Sequence, residues 1–264
     1  MAISKADAIS TVADLSASSA SALIGAGIGS VVAGPVGAIS GALAGTTVEK
    51  VLRWIGTEIT QRYLSPRENK RIGVVYEYAQ KKIEDNLNAG KQLRQDDFFT
   101  DDIDDRSAAH EILEATLLVA QKEYEELKLP YLANLYANIN FDATIDKYMA
   151  NQLIKLAENL SFRQLVIMRV IGAYQTGDFN GPPRRDSAFK TINGYDNISI
   201  ATEIYDLYRR GIVHSDSAIL GAAGITPSKL TIGGIGALLY NLMDLPHMAF
   251  DKMAERIVMF LITK

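Results

Sequence analysis

Between Asp14 and Glu49 the chain runs for 34 residues without a charge, and seven glycines and one proline fall within Ser21 to Gly45, "SALIGAGIGSVVAGPVGAISGALAG". No other feature constrains the fold as much. Glycine inside a helix costs about 1 kcal/mol relative to alanine, so such a run is unfavourable in water unless close packing or lipid offsets it. Three arrangements accommodate it: a phosphate-cradling loop, a tightly packed hairpin in a soluble core, or a membrane-active segment.

The phosphate loop fits least well. Gly25, Gly27 and Gly29 resemble a dinucleotide fingerprint, and Glu49 lies roughly where a ribose-binding acid would fall. The preceding "SASSASALI" is a poor strand, the third glycine is wrongly spaced, and no alternation of strands and helices follows. A Walker-type Gly-Lys-Ser/Thr is also missing, because "GITPSK" has the order wrong.

As helix, the glycines form faces. Gly37, Gly41 and Gly45 repeat every four residues, as Gly25 and Gly29 do earlier. Faces without Cβ atoms let backbones approach closely, which is a glycine zipper. A bilayer crossing needs ~20 residues. Pro35 leaves 19 residues before it (15–33) and 13 after it (36–48), so a kinked spanning helix or a re-entrant hairpin fits. The residues are mainly Ala, Gly and Ser, so the drive to insert unaided is marginal. Downstream, Arg53, Trp54, Arg62 and Tyr63 are residue types favoured at membrane interfaces. The segment is compatible with a packed oligomer interior and with a bilayer entered on rearrangement.

The rest of the 264 residues read as helix. Ser65, Pro66 and Glu68 form a capping box with the favoured proline, and that helix stops at Gly90. A second is entered near Asp105 to Ser107 within "DDIDDRSAAHEILEATLLVAQKEYEEL", a third covers "PYLANLYANI", and a fourth spans roughly Ile145 to Glu158. Ser161 and Gln164 box the start of a fifth, which ends near Tyr174. A Gly/Pro/Asn-rich break, "QTGDFNGPPRRDSAFKTINGYDN", precedes "ISIATEIYDLYRRGIV", stopped by Gly211. Thr226 is a candidate cap for the next segment, and a last helix is expected over Pro246 to Ile262. "LYRRGIV…LTIGGIGALLYNLM" is similar to the helix, short strand and second helix of a winged-helix-like module.

Charge divides the chain in the same places. Residues 1–64 carry four basic and four acidic groups, 65–180 carry 14 and 19, and 181–264 carry nine and eight. The net charge of −4 exerts no general pull toward nucleic acid or acidic lipid. With no cysteine, disulfides, thiolate nucleophiles and Cys-based zinc sites are excluded. "MAISKADAIS" does not read as a secretory signal.

Few side chains suggest chemistry. Asp96, Asp97, Asp101, Asp102, Asp104 and Asp105 invite a calcium reading, but lack the glycine, alternate spacing and terminal glutamate of a calcium loop. They suit a solvated loop leading to a helix cap, with Phe98 and Phe99 as anchors. His110, His214 and His247 share no metal-ligand spacing. Glu58, Glu68 and Glu77 do not pair as acid and base. The expectation is a non-enzyme with no cofactor and no metal. The basic candidates for a ligand are Arg184, Arg185 and Lys190, in a loop with Phe179, Phe189 and Tyr195, and Arg209 and Arg210 at a helix end. Charge with stacking rings holds single-stranded nucleic acid or a nucleotide. The alternative is that Arg209 and Arg210 complement a helix C-terminus and the loop is merely solvated.

The glycine-rich head followed by "LSPRENKRIGVVYEYAQKKIEDNLNAGKQLRQDDFF" and "AENLSFRQLVIMRVIGAY" resembles membrane effectors of bacterial anti-phage, abortive-infection operons. It is similar, more specifically, to the channel-forming effectors of Hailong systems, which are paired with a nucleotidyltransferase. That resemblance implies a homotetramer held inactive by a bound single-stranded oligodeoxyadenylate. Loss of the ligand would free the apolar head to open an ion channel, with the protein cytoplasmic until activated or at the cytoplasmic face of the inner membrane. The alternative is a soluble all-helical oligomeric regulatory or nucleic-acid-binding protein with the glycine hairpin as oligomer core. Either way the expected fold is all-α: a glycine-zipper membrane and oligomerisation segment at 1–64, a helical bundle at 65–176 and a small C-terminal helical, winged-helix-like module at 177–264. The packing residues of the head would be Gly25, Gly29, Pro35, Gly37, Gly41, Gly45 and Trp54.

Overall fold

The structure, a computed structural model, describes residues 43, 45–60, 64–101 and 106–263. It is mostly helical. Gly25, Gly29, Pro35, Gly37 and Gly41 lie outside the described residues, and so does the zipper they would form. The described residues divide into two compact units, one ending at Leu160 and the other beginning at Ser161.

The first unit contains α1 (Thr47–Thr60), α2 (Pro66–Asn88), α3 (Ala108–Lys122), α4 (Leu129–Ile139) and α5 (Lys147–Glu158). α2 packs along α4 and α3, and α3 also meets α1 and α5. Their apolar residues recur at helical spacing. On α2, Ile72, Val75, Tyr76, Ala79 and Ile83 are buried, while the opposite face carries the charges. Ser65 accepts from the Glu68 N–H, and Glu68 accepts from the Ser65 N–H at 2.8 Å, which completes the expected capping box. Gly90, at φ 82, terminates the helix in the left-handed region. α3 starts at Ala108 behind Ser107, as expected, but stops at Lys122; Glu126–Lys128 is a separate 3-10 turn.

Two buried cations hold the connections of this unit. Lys128 pairs with Glu123 at 2.5 Å and donates to the Glu158 carbonyl at 2.9 Å, satisfying an otherwise unpaired group at the C-terminus of α5. Arg94 donates through Nε to Asp96 at 2.7 Å and through Nη1 to the Ile145 carbonyl at 2.8 Å, while its guanidinium lies 4.1 Å from the Phe98 ring centroid. The loop after α2 is thereby fixed, with Phe98 buried as its anchor.

The second unit contains α6 (Phe162–Thr176), α7 (Tyr195–Arg209), β1 (Val213–His214), β2 (Thr231–Ile232), α8 (Gly234–Leu242) and α9 (Lys252–Ile262). α6 is its centre, buried on nearly every side from Phe162 to Ala173, with α7, α8, α9 and β2 packed on it. The sequence boundary at 176/177 had placed this helix in the middle bundle; its packing puts it in the tail unit, because it buries apolar residues all round and needs neighbours on every face. β1 and β2 are antiparallel, with Val213 opposite Ile232 and His214 opposite Thr231. The Gln175 side chain extends the ladder, accepting from the Ile232 N–H at 2.8 Å and donating to its carbonyl at 3.2 Å.

The last helix begins later than Pro246. Pro246 lies in a 3-10 turn entered through Asp244 at φ 61, and α9 is capped by Asp251, whose side chain accepts from the Met253 and Ala254 N–H groups at 2.9 Å each. Thr226 makes no side-chain cap: only a 3-10 turn, Pro227–Lys229, follows it. No helix among the described residues is long and apolar enough to cross a membrane.

Candidate functional site

The basic loop after α6 is built inward rather than left in solvent. Gly177, at φ 80, ends α6. Phe179 stacks 5.2 Å from Phe250 and meets Tyr174 edge-on at 5.0 Å, while Phe189 stacks 4.4 Å from Phe260. Both loop phenylalanines are buried. They are therefore unavailable to stack on bases; of the three rings expected to do so, Tyr195 alone is exposed. The reason is energetic. A phenylalanine gains roughly 1.5–3 kcal/mol from burial, which exceeds what a solvated loop offers it.

The two arginines follow the rings. Arg184 donates to the carbonyls of Leu230 at 2.8 Å and Ser228 at 3.2 Å, with its guanidinium 5.2 Å from the Tyr174 centroid. Burial lowers the pKa of Arg184 and pushes the Tyr174 hydroxyl up to about 12. Arg185 donates to the Ala188 carbonyl at 2.9 Å and the Ser187 hydroxyl at 2.9 Å, and its N–H donates to Leu261 at 2.8 Å. The two guanidinium groups are thus directed at different backbone segments, and their first role is to fasten the loop. Lys190 is exposed, at φ 59, with its N–H donated to the Ala223 carbonyl at 3.1 Å. Arg209 is exposed, and Arg210 pairs with Asp206 at 2.8 Å, one turn back on α7. The five cations are not gathered onto one group: Arg184 and Arg185 hold carbonyls, Arg210 a carboxylate, and Lys190 and Arg209 present side chains to solvent.

In the first unit, Gly45 does not sit on a helix face. Its φ of 81 places it in the turn before α1, where its N–H donates to Glu49 at 2.6 Å. Trp54 is partly exposed, with its ring 4.8 Å from that of His110. His110 occupies the third position of α3 and takes the part normally played by Glu: its Nδ1 accepts from the Ser107 N–H at 3.1 Å. The Ser107 hydroxyl is 2.9 Å from the same nitrogen and Asp101 is 3.7 Å from it. A catalytic triad needs serine and carboxylate on opposite nitrogens of the ring, so this is a cap and not a nucleophile. Asp96 and Asp97 lead into a 3-10 turn, Asp102, Asp104 and Asp105 lie outside the described residues, and no metal-holding group of acids and histidines occurs among the described residues.

The surface not singled out from the sequence is the outer face of α7. Tyr195 is 94% exposed and Ile198 45%. Thr202 and Arg209 continue the same face in solvent, with Tyr205 half-buried. The Tyr205 hydroxyl donates to the Leu220 carbonyl at 3.2 Å, setting the 93% exposed Leu220 beside the helix. The opposite flank is polar: Arg163 on α6 donates to Glu203 at 2.6 Å and to Ser199. The signal was present in the 3-4-3-4 spacing of these residues, but spacing alone marks an apolar face without saying whether it turns inward. No family profile matches the chain, and neither a curated protein nor a solved structure matches it.

Proposed function

We propose that the protein is a non-enzymatic, oligomeric effector that permeabilises a membrane in bacterial antiviral defence and is held inactive by a bound ligand. The observation that carries this reading is the uncharged run from Leu15 to Val48, long enough to engage a bilayer yet too rich in Gly, Ala and Ser to insert strongly unaided. The ligand that the resemblance implies is a single-stranded oligodeoxyadenylate made by a nucleotidyltransferase partner. Of the basic residues considered for it, Lys190 and Arg209 have the freest side chains.

The test is expression and leakage. Expression without the inhibitor should arrest growth, and the activated protein should release dye from liposomes. Gly37→Leu and Gly41→Leu should abolish release while leaving the helical circular dichroism of the folded units intact. Undiminished release from both variants would sink the zipper mechanism.

A second reading, a nucleic-acid-binding regulator, is supported by one observation: a short antiparallel β1–β2 pair stands between α7 and α8. It predicts salt-dependent binding to nucleic acid that weakens on Lys190→Ala with Arg209→Ala. Against groove entry by α7, the helix carries Asp196, Glu203 and Asp206 against Arg209 and the capping Arg210.

A further inference from the structure

α1 is continuous with the uncharged run: Val48 ends that run and is the second residue of α1. Three sets of contacts fix this helix. Val48, Val51 and Leu52 are buried. The Tyr76 hydroxyl on α2 donates to the Leu52 carbonyl at 3.0 Å. Trp54 meets the start of α3, with its ring 4.8 Å from that of His110 at an interplanar angle of 64°. Only the last contact involves a group that changes charge near neutral pH. Burial pushes the Tyr76 hydroxyl up to about 12, and Glu49, in the first turn of α1, is held below the usual carboxylate value by the Gly45 N–H and then by Arg53.

The imidazole at that contact fits its place in one protonation state. Its Nδ1 accepts from the Ser107 N–H at 3.1 Å, so the ring proton is on Nε2. A proton added at Nδ1 would face the Ser107 N–H, donor against donor, on a buried side chain. Few charges face the ring among the described residues. Asp101 lies 3.7 Å from Nδ1, and Arg106 is directed to Glu114. Glu111, next on α3, is engaged by Asn151 and Lys147 of α5. Asp96, ahead of the 3-10 turn, is taken by Arg94, while Glu68 and Arg71 of α2 reach Gln121 near the other end of α3. α4 has no charged residue. Asp101 is thus the acceptor to which a protonated ring turns.

We propose that His110 is an acid-sensitive latch on α1: neutral, it closes the cap of α3 and holds Trp54, and protonated, it leaves the Ser107 N–H for Asp101 and releases α1. Burial keeps the docked imidazole below the ordinary 6.5, with Asp101 offsetting part of this and Arg106 adding to it, whereas undocking returns it toward 6.5. The undocked state therefore binds the proton more readily, and docking weakens as pH falls below about 6.5. Release of α1 moves the end of the uncharged run. That consequence for an effector rests on the proposed function; the latch itself does not.

Trp54 is the one tryptophan of the chain, so its emission in the full-length protein reads the contact directly. Between about pH 8 and pH 5 the emission should shift to the red, and acrylamide should quench it more strongly, as the indole enters water. His110→Gln rebuilds the capping box with a side chain that does not titrate, and should abolish both changes with unchanged circular dichroism. Asp101→Asn, at a side chain 56% exposed, removes the carboxylate and should move the midpoint to lower pH. A transition that survives His110→Gln, or no transition at all, would overturn the latch. So would an unmoved midpoint in Asp101→Asn. Loss of intensity without a shift or added quencher access would overturn it too, because the ring would then titrate while α1 stays docked. A blue shift in acid would do the same, with cation–π attraction between imidazolium and indole tightening the contact. Liposome leakage is read separately: the fluorescence transition without leakage in acid leaves the latch standing and removes the pore, and leakage without the transition does the reverse.

Discussion

A methyl group added at Gly236 would run into the carbonyl oxygen of Ile212, a backbone atom that cannot rotate away. Gly236→Ala should therefore lose about 1–3 kcal/mol by thermal or urea unfolding, the range for overpacked sites. Gly221→Ala, where a Cβ meets nothing within 4 Å, should be close to neutral. His110 offers a residue-scale prediction in pH. Burial lowers its pKa below the ordinary 6.5, offset in part by Asp101 and assisted by Arg106. The unfolded chain thus binds the proton more readily than the folded one, so the stability is complete above about pH 6.5 and is lost as pH falls toward the depressed folded value. Unfolding free energies measured at pH 8 and pH 5 should show this loss. His110→Gln keeps a residue able to complete the cap and should flatten the slope; an unchanged slope would remove His110 as its source. At this scale the sequence shows which residues are charged but not what they touch. Arg184 and Arg185 were readable as a basic pair, and the carbonyl partners of Arg184 at 228 and 230 were not, because those contacts are made between segments distant in the chain.

Elements were more legible at their starts than at their ends. Ser65 and Ser161 begin helices by side-chain chemistry confined to four consecutive residues, so the motif suffices to find them. Ser65→Ala should lower the stability of the first unit by about 1 kcal/mol, read as a shift in its denaturation midpoint. Glu68, the other half of that cap, is held at about 2, first by its hydrogen bond from Gln121 and then by Ser65. Its contribution is present above the ordinary carboxylate value and lost as pH falls toward 2, so the Ser65→Ala difference should shrink in acid. The start of α9 was misplaced because Pro246 is as good a first-turn residue as any, and only Asp244 in the left-handed region makes the chain turn there instead. α6 was found correctly as an element and assigned to the wrong neighbours, since a helix apolar on every side carries no stripe to say which partners it faces.

For the whole molecule, the division at Leu160 and Ser161 predicts that residues 161–264 fold when expressed alone, with helical circular dichroism and one cooperative melt. A fragment beginning at 177 lacks α6, around which that unit packs, and should not fold; equal folding of both fragments would disprove the central role of α6. The sequence by itself determined the helical class, the principal capped starts, the glycine stops and the uncharged run, because each depends on residues close along the chain. Only the tertiary structure decided which unit owns α6, that Phe179 and Phe189 turn inward, that Arg184 and Arg185 fasten a loop, and that Tyr195 and Ile198 of α7 remain exposed. Those outcomes depend on which surfaces compete for burial, and that competition is settled between residues far apart in sequence.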